Sequence, residues 1–124
     1  MNKIIISINP EHVKNILSGK KIYEFRRTAA KKDVSSILIY ETIPTKMIVA
    51  EADIEEVIKA DPETLWQITK NYAGITKDFF DSYFKGKTIA YAYKLKNVRS
   101  FERPKSLNEF GFRYPPQSFV YYRG

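Results

Sequence analysis

The sequence predicts a small α+β protein, in which a mixed β-barrel of about six strands carries one N-terminal helix and a two-helix insertion. Short runs of alternating apolar residues recur along the chain, and this period of two is typical of strands with one buried face. Helical spacing of apolar residues is confined to residues 10–18 and about 61–86. The strand predicted over residues 47–58 changes phase near its end, as do the bulged or bent strands that close small barrels. At 124 residues the chain has room for a single core, so we expect one domain over residues 1–124.

The first strand is predicted at residues 3–8, and the Asn-Pro pair that follows it marks the start of a helix, because Asn is a good cap and Pro suits the first helical position. Val13, Ile16 and Leu17 form the apolar stripe of this helix, and Gly19 ends it. The remaining strands are expected at residues 22–26, 36–42, 47–58, 88–98 and 118–122.

Residues 61–86 are predicted to form the helical insertion. Asp61, followed by Pro, opens the first helix and Gly74 ends it, while Thr76 caps a second helix that stops before Gly86. The aromatic residues of these helices favour packing over a cofactor site. We therefore interpret the pair as a lid packed on the barrel.

Composition excludes several kinds of site. The chain has no cysteine, which excludes disulfides, thiolate metal sites and a cysteine nucleophile. No apolar run approaches the roughly 20 residues that span a bilayer, and the N-terminus lacks a signal-peptide pattern, so we expect a cytoplasmic protein with no membrane partner. Glu51, Asp53 and Glu55 alternate along one strand and could hold a metal ion, but the simpler interpretation is the wet face of an antiparallel strand. We expect no metal and no other cofactor.

The net charge of +7 is unevenly distributed along the chain. Residues 1–32 carry a net +6, residues 33–93 a net −4, and residues 94–124 a net +5. If the two ends meet in the fold, they form one positive face, and aromatic residues, at 15 % of the chain, are available to intersperse it. Such a face is typical of a protein that binds nucleic acid, whereas the plainer alternative is a lysine-rich surface that maintains solubility.

Residues 19–26 (Gly-Lys-Lys-Ile-Tyr-Glu-Phe-Arg) concentrate charge and aromatic rings where the first helix leads into a strand. Strand alternation places Glu24 and Arg26 on one face and Tyr23 and Phe25 on the other. A carboxylate beside a guanidinium forms a charge-assisted pair that leaves one edge free for a ligand. The alternative is an ordinary surface ion pair, which contributes little to stability.

Gly19, Lys21, Glu24 and Arg26 have the spacing G-x-K-x-x-E-x-R, which resembles the signature of the ASCH family (activating signal cointegrator homology), a branch of the PUA-like proteins. Residues 115–119 (Pro-Pro-Gln-Ser-Phe) are similar to the C-terminal end of small stand-alone prokaryotic-type members. The resemblance implies a PUA-like barrel with a cleft beside the first helix and the following strand. In the family that cleft is associated with recognition of RNA or of a nucleobase.

The resemblance implies roles for the four signature residues. Strand parity does not orient Lys21, because it lies at the helix–strand junction; in the family-like cleft it would hold a phosphate as a point charge. Arg26 would contact a phosphate or a base edge. Glu24 would accept a base amino group or hold Arg26 in place. Gly19 would allow close approach of the backbone.

Other candidate ligand-binding residues flank this strand. Arg27 begins a basic loop over residues 27–33, of the kind that contacts phosphates, although a plain connector has the same composition. Tyr23 or Tyr40 would stack on a base if either faces the cleft. His12, the only histidine, is predicted to be a surface residue away from the apolar stripe of the first helix.

The leading functional hypothesis is a module that binds RNA or a modified nucleobase. The alternative is a small hydrolase, either a ribonuclease or an enzyme like the N4-acetylcytidine amidohydrolases, with Lys21 and Glu24 as its acid–base groups. The amidohydrolase-like relatives typically have threonine at the position of Glu24, which counts against that activity. A third hypothesis is a protein-interaction barrel. We expect RNA or a nucleotide- or nucleoside-sized ligand as the partner, and a monomer or weak homodimer.

Overall fold

The computed structural model describes residues 2–30 and 33–123, and a six-stranded mixed sheet forms its centre. The strands are β1 (Asn2–Ile8), β2 (Tyr23–Arg26), β3 (Ser36–Glu41), β4 (Met47–Ala60), β5 (Ala90–Lys105) and β6 (Phe119–Arg123). The helices are α1 (Pro10–Leu17), α2 (Pro62–Thr69) and α3 (Lys77–Tyr83), and short 3-10 helices span Lys70–Tyr72 and Leu107–Phe110. The strand order is β2-β5-β4-β3-β1-β6, in which only β1 and β3 are parallel neighbours. The predicted α+β class is confirmed.

The predicted closed barrel is not observed, because the edge strands β2 and β6 do not pair with each other in the part of the chain that the structure describes. β2 has four residues and forms its ladder with β5. The sheet nevertheless curls strongly, since the Arg26 guanidinium in β2 lies 2.8 Å from the Ser7 carbonyl oxygen in β1. In a flat sheet these two strands would be four spacings, or roughly 19 Å, apart. The curled sheet thus has an opening between β1 and β2.

Bulges account for part of this curl. The pairing of β4 with β5 changes register at three places, after Ile48, Glu51 and Ile54. Each such irregularity bends the strand and increases its twist. The phase change predicted near the end of β4 coincides with the last of these. β5 is longer than the predicted 88–98, because β4 continues to pair with it as far as Lys105.

Among the described residues, the core consists of three clusters of buried side chains. The first packs α1 against the sheet and includes Val13 and Ile16, as predicted, whereas Leu17 at the end of the helix is exposed. The second packs the helical insertion on β2 and β5, with Phe80 at its centre. The third lies around Ile5, where the 3-10 helix before β6 covers the sheet. The first cluster thereby fixes α1 on the sheet, and the second fixes the insertion on β2 and β5.

The helices begin largely as their sequences predict. The Asp61 carboxylate and the Thr76 hydroxyl each accept a hydrogen bond, both 3.1 Å long, from the backbone N–H three residues further on. Asn9 precedes α1 but forms no side-chain cap, and its side-chain oxygen instead accepts from the Thr42 hydroxyl at 3.2 Å. Within the described residues, no helix combines the length and the apolar character that crossing a membrane requires.

Two glycines of the insertion give a matched test of its packing. Gly74 and Gly86 both have positive φ, at 68° and 79°, so alanine is strained at either position. A Cβ on Gly74 would lie 2.3 Å from Cβ of Lys21, whereas a Cβ on Gly86 would have no heavy atom within 4 Å. We expect Gly86→Ala to lower the free energy of unfolding by about 1–2 kcal/mol. Gly74→Ala should lower it by roughly 2–4 kcal/mol, because the clash adds to the strain.

Urea denaturation of the two variants and the wild type measures this difference. Equal losses of stability in the two variants would show that the insertion is not tightly packed over Lys21.

Candidate functional site

A cleft of about 300 Å³ occupies the opening between β1 and β2. α1 borders it on one side and α3 on the other. The charged residues Lys21, Glu24 and Arg26 lie at its buried end, so the structure brings three of the four signature residues together, whereas Gly19 does not line the cleft.

The Glu24 carboxylate lies between two cations. It is 5 % exposed, and its Oε2 accepts hydrogen bonds from Nε and Nη2 of Arg26, at 3.0 and 2.7 Å. The other carboxylate oxygen, Oε1, lies 3.9 Å from Nζ of Lys21, which is too far for a hydrogen bond. Both Arg26 contacts converge on one oxygen, so Oε1 remains able to accept a hydrogen bond from a ligand.

Lys21 is almost completely enclosed, with 2 % of its surface exposed. Its ammonium group donates to the Ala73 carbonyl oxygen at 3.2 Å and lies 4.6 Å from the centre of the Phe25 ring. Burial lowers the pKa of Lys21, and the nearby Glu24 carboxylate opposes this effect only in part. The cover comes from the insertion, where Gly74 packs directly on the lysine side chain.

Arg26 connects the two edges of the cleft. In addition to Glu24, its Nη2 contacts the Ser7 carbonyl oxygen of β1. Tyr23 and Phe25 lie in the cluster under the insertion, as the strand alternation predicts, although Phe25 also borders the cleft. The guanidinium is thus held by a carboxylate and a backbone oxygen, with Nη1 the nitrogen that those contacts leave out.

His12 lies in the cleft, and the sequence interpretation of it as a plain surface residue missed this position. Its ring is 5.3 Å from the Phe79 ring, and its Nδ1 is buried without a hydrogen-bond partner among the described residues. Burial, and then the charge of Lys21, lower the pKa of His12, so the imidazole is neutral at pH 7. The sequence did contain a signal for this position. His12 is four residues before Ile16, which was predicted to be buried, and residues four apart lie on the same face of a helix.

The aromatic wall of the cleft comes from α3. Phe79 and Tyr83, four residues apart, face the cleft, while the neighbouring Phe80 and Phe84 pack into the core. Phe79 is 47 % exposed and is therefore available to stack on a planar ligand. The prediction that the aromatic residues of the insertion serve packing therefore holds for Phe80 and Phe84, whereas Phe79 and Tyr83 line the cleft.

The other predicted ligand-binding residues lie elsewhere. Tyr23 and Tyr40 are buried in two of the core clusters and do not line the cleft, so neither is placed to stack on a base there. Gly19 is exposed at the end of α1, with a φ of 85°. Arg27 lies just outside the cleft, where its guanidinium stacks 4.1 Å from the Tyr83 ring and its Nε donates to the Tyr83 carbonyl oxygen at 2.9 Å.

The proline-rich segment before β6 completes the rim. The Ser7 hydroxyl donates to the Pro116 carbonyl oxygen at 2.7 Å, and the Ser7 N–H donates to the Ser118 carbonyl oxygen at 3.2 Å. These two bonds hold Gln117 at the edge of the cleft.

The carboxylates of Glu51, Asp53 and Glu55 in β4 form ion pairs. Glu51 contacts Lys3 at 2.8 Å and the Ser36 hydroxyl at 2.8 Å, and these contacts hold the pKa of its carboxyl below the usual range despite its burial. Asp53 contacts Arg99 at 3.1 Å. Across residues 2–30 and 33–123, no group of three or more His, Asp or Glu side chains has a geometry that could hold a metal ion.

Comparison with known proteins agrees with the sequence signature. A family model described as a domain of unknown function (DUF365) matches residues 1–112. The ASCH domain-containing ribonuclease of Zymomonas mobilis is 34 % identical over 125 residues, which cover 96 % of this chain and 83 % of that relative. This chain belongs to the ASCH family. The family predicted from residues 19–26 is therefore confirmed.

Solved ASCH structures share the fold. The crystal structure of the Z. mobilis ASCH protein superposes with a TM-score of 0.87 at 34 % identity, and the match covers 98 % of this chain and 87 % of that one. A large ribosomal subunit protein uL22 of Ureaplasma parvum is 30 % identical over 119 residues. That match takes in 95 % of this chain, which spans only 38 % of the length of the ribosomal protein.

The burial of Lys21 beside Glu24 and Arg26 also predicts an effect of Lys21 on the stability of the fold. Because burial disfavours the ammonium ion, the pKa of Lys21 is lower in the folded than in the unfolded protein. Between these two pKa values the unfolded chain binds more protons, so this residue makes the free energy of unfolding rise with pH up to about 10.5. We expect Lys21→Met to remove that rise and, at pH 7, to lower the free energy of unfolding by roughly 1–3 kcal/mol, because the Ala73 carbonyl oxygen and the Glu24 carboxylate lose a buried partner.

Denaturation of wild type and Lys21→Met at several pH values measures both effects. Glu24→Gln is the contrasting variant, because it leaves two buried cations without their carboxylate and should destabilise the fold. If Lys21→Met kept the rise with pH, the titration of Lys21 would not be its cause, contrary to this interpretation.

Proposed function

We propose that this ASCH protein binds unpaired RNA and that the cleft holds one of its nucleotides. The observation that carries this proposal is the cluster of the buried Lys21 and Glu24 with the half-buried Arg26, which has a net positive charge and lies in the same cleft as the exposed Phe79 ring. A volume of about 300 Å³ suits a small planar ligand with one charged group. The name of the Z. mobilis relative, an ASCH domain-containing ribonuclease, supports RNA as the class of ligand.

The side chains of the cleft match the chemistry of a nucleotide. Arg26 and Lys21 attract a phosphate, the first through a planar set of donors and the second as a point charge. Oε1 of Glu24 is placed to accept a hydrogen bond from a base amino group or a ribose hydroxyl. Phe79 offers a stacking surface, which favours bases that are not already stacked in a duplex.

We expect Arg26→Gln to weaken binding of a single-stranded RNA pentamer by about 10- to 100-fold, because a charge-assisted contact to the ligand is lost. Since Arg26 also supports the fold, Phe79→Ala serves as a second variant that leaves the ion cluster intact. It should weaken binding by roughly 1–3 kcal/mol, the contribution of one stacked base.

Fluorescence anisotropy at 50 and 200 mM salt provides the measurement. Lys94→Ala is the charge-matched control, because Lys94 pairs with Glu55 at 2.9 Å and lies outside the cleft. The proposal fails if the wild type does not bind the pentamer, or if the cleft variants bind as tightly as the control.

A second candidate function is cleavage of the bound RNA. The observation that favours it is His12, a histidine with a lowered pKa in the same cleft as two cations. Glu24 is the weaker candidate base, because its Oε2 is already bound to Arg26. Neutral His12 would take the proton of a ribose 2′-hydroxyl, whose oxygen would then bond to the adjacent phosphorus.

The rest of the step uses the buried cations. As the new bond forms, the bond from phosphorus to the 5′-oxygen breaks, and that oxygen takes a proton from the Lys21 ammonium. Arg26 would stabilise the negative charge on the phosphate oxygens. The products are a 2′,3′-cyclic phosphate and a free 5′-hydroxyl, and no co-reactant is needed.

This mechanism predicts a bell-shaped dependence of kcat/KM on pH. The rate rises as His12 loses its proton, which occurs below pH 6.5 because its pKa is lowered. It falls as Lys21 loses its proton, which occurs below pH 10.5 for the same reason. His12→Ala should remove cleavage, by at least about 100-fold, while binding stays within a few-fold of wild type.

Denaturing gels with end-labelled RNA report both the rate and the product ends. Cleavage that survives in His12→Ala, or products with a 5′-phosphate, would exclude this mechanism and leave the binding function intact.

A further inference from the structure

A second groove lies beside the cleft, between the segment that follows β2 and the turn that joins α3 to β5. It has a volume of about 560 Å³, and we refer to it as the basic groove because Arg27, Lys59 and Lys87 line it. None of the described residues in its lining is acidic. Tyr91 adds an aromatic ring to the lining.

The basic side chains that line the groove have no carboxylate partner, unlike several other lysines and arginines of this protein. Lys59, Lys87 and Arg27 form no ion pair with any acidic residue in the described ranges. By contrast, ion pairs to carboxylates engage Lys3, Lys77, Lys94 and Arg99. Unpaired lysines side by side repel one another, so their positive potential is available to an anion.

A row of residues on one face of the sheet connects the cleft to the groove. Arg26 lies opposite Tyr91 in the β2–β5 ladder, and Tyr91 lies opposite Lys59 in the β4–β5 ladder. Directly opposite residues of antiparallel strands share a face, so these three form one row across the sheet. With neighbouring strands about 4.8 Å apart, the row extends roughly 10 Å from the cleft into the groove.

Arg27 and Tyr83 lie at the boundary between the cleft and the basic groove. Tyr83 lines the cleft, while Arg27 lines the groove, and the two are joined by a hydrogen bond of 2.9 Å and by stacking. The guanidinium is therefore fixed at the boundary and does not swing freely in solvent. A chain leaving the cleft along this row would meet a positioned arginine first and the two lysines next.

We propose that the basic groove holds the phosphate backbone of the RNA that adjoins the nucleotide in the cleft, an inference that rests on the proposed RNA-binding function. Lysine charges without neighbouring amide or carboxylate groups attract phosphates but do not distinguish bases. The groove therefore adds affinity for longer RNA without adding sequence preference.

The test compares a trinucleotide, which fills the cleft, with a single-stranded RNA of 12 nucleotides, which also reaches the groove. In Lys59→Ala/Lys87→Ala we expect affinity for the 12-mer to fall roughly tenfold at 100 mM salt, with the trinucleotide unchanged. The slope of log K against log salt for the 12-mer should become shallower by about 1.4, at about 0.7 per lost phosphate contact. Both lysines are exposed, so the variant should fold normally.

Lys14→Ala/Lys70→Ala is the matched control, because it removes the same charge from exposed positions that line neither the cleft nor the groove. A loss of 12-mer affinity in this control equal to that in the groove variant would overturn the proposal. So would an unchanged 12-mer affinity in the groove variant, and Arg26→Gln would then show whether binding in the cleft still stands. Poly-glutamate that competes for the groove more strongly than RNA would assign it to an acidic polypeptide and overturn the proposal as well.

Discussion

The buried Glu24 carboxylate is the group on which the arrangement of this protein depends. A carboxylate at 5 % exposure is stable only when cations and donors replace the water it has lost, and here Arg26 and Lys21 do so. Each cation in turn needs further support. Arg26 obtains it from the Ser7 carbonyl oxygen of β1, which links the two sides of the opening in the sheet. Lys21 obtains it from the Ala73 carbonyl oxygen, which requires the helical insertion to cover β2.

The insertion therefore has two roles: it shields Lys21 from solvent, and it supplies aromatic rings to the cleft. Ala73 and Gly74 shield Lys21 from solvent, and the positive φ of Gly74 lets the backbone approach the lysine without a side chain in between. In the helix that follows, α3, Phe79 and Tyr83 face the cleft. A lid that only covered the sheet would need no exposed aromatic ring at the cleft, and Phe79 supplies one.

The sequence was sufficient for features that depend on local spacing. Period-two alternation placed Glu24 and Arg26 on one face, and the caps and glycines located both insertion helices. Features that depend on distant elements were not predictable. Whether the edge strands pair is decided by the curl of the whole sheet, so the closed barrel was not observed. Tyr23 and Tyr40 have the correct chemistry for stacking, but the insertion covers Tyr23 and the segment around the 3-10 helix before β6 covers Tyr40.

The distribution of charge shows most clearly that net charge summed along the sequence does not locate the positive surface of the fold. Residues 33–93 have a net charge of −4, yet Lys59 and Lys87 from this stretch line a groove with no acidic residue in its described lining. Acidic neighbours in sequence are directed elsewhere, as when Glu55 pairs with Lys94 across the ladder. A ligand responds to the charges that remain after such pairing, and these depend on strand register. The positive region beside the cleft consequently combines residues from both the basic and the acidic parts of the chain, joined along the row through Arg26 and Tyr91.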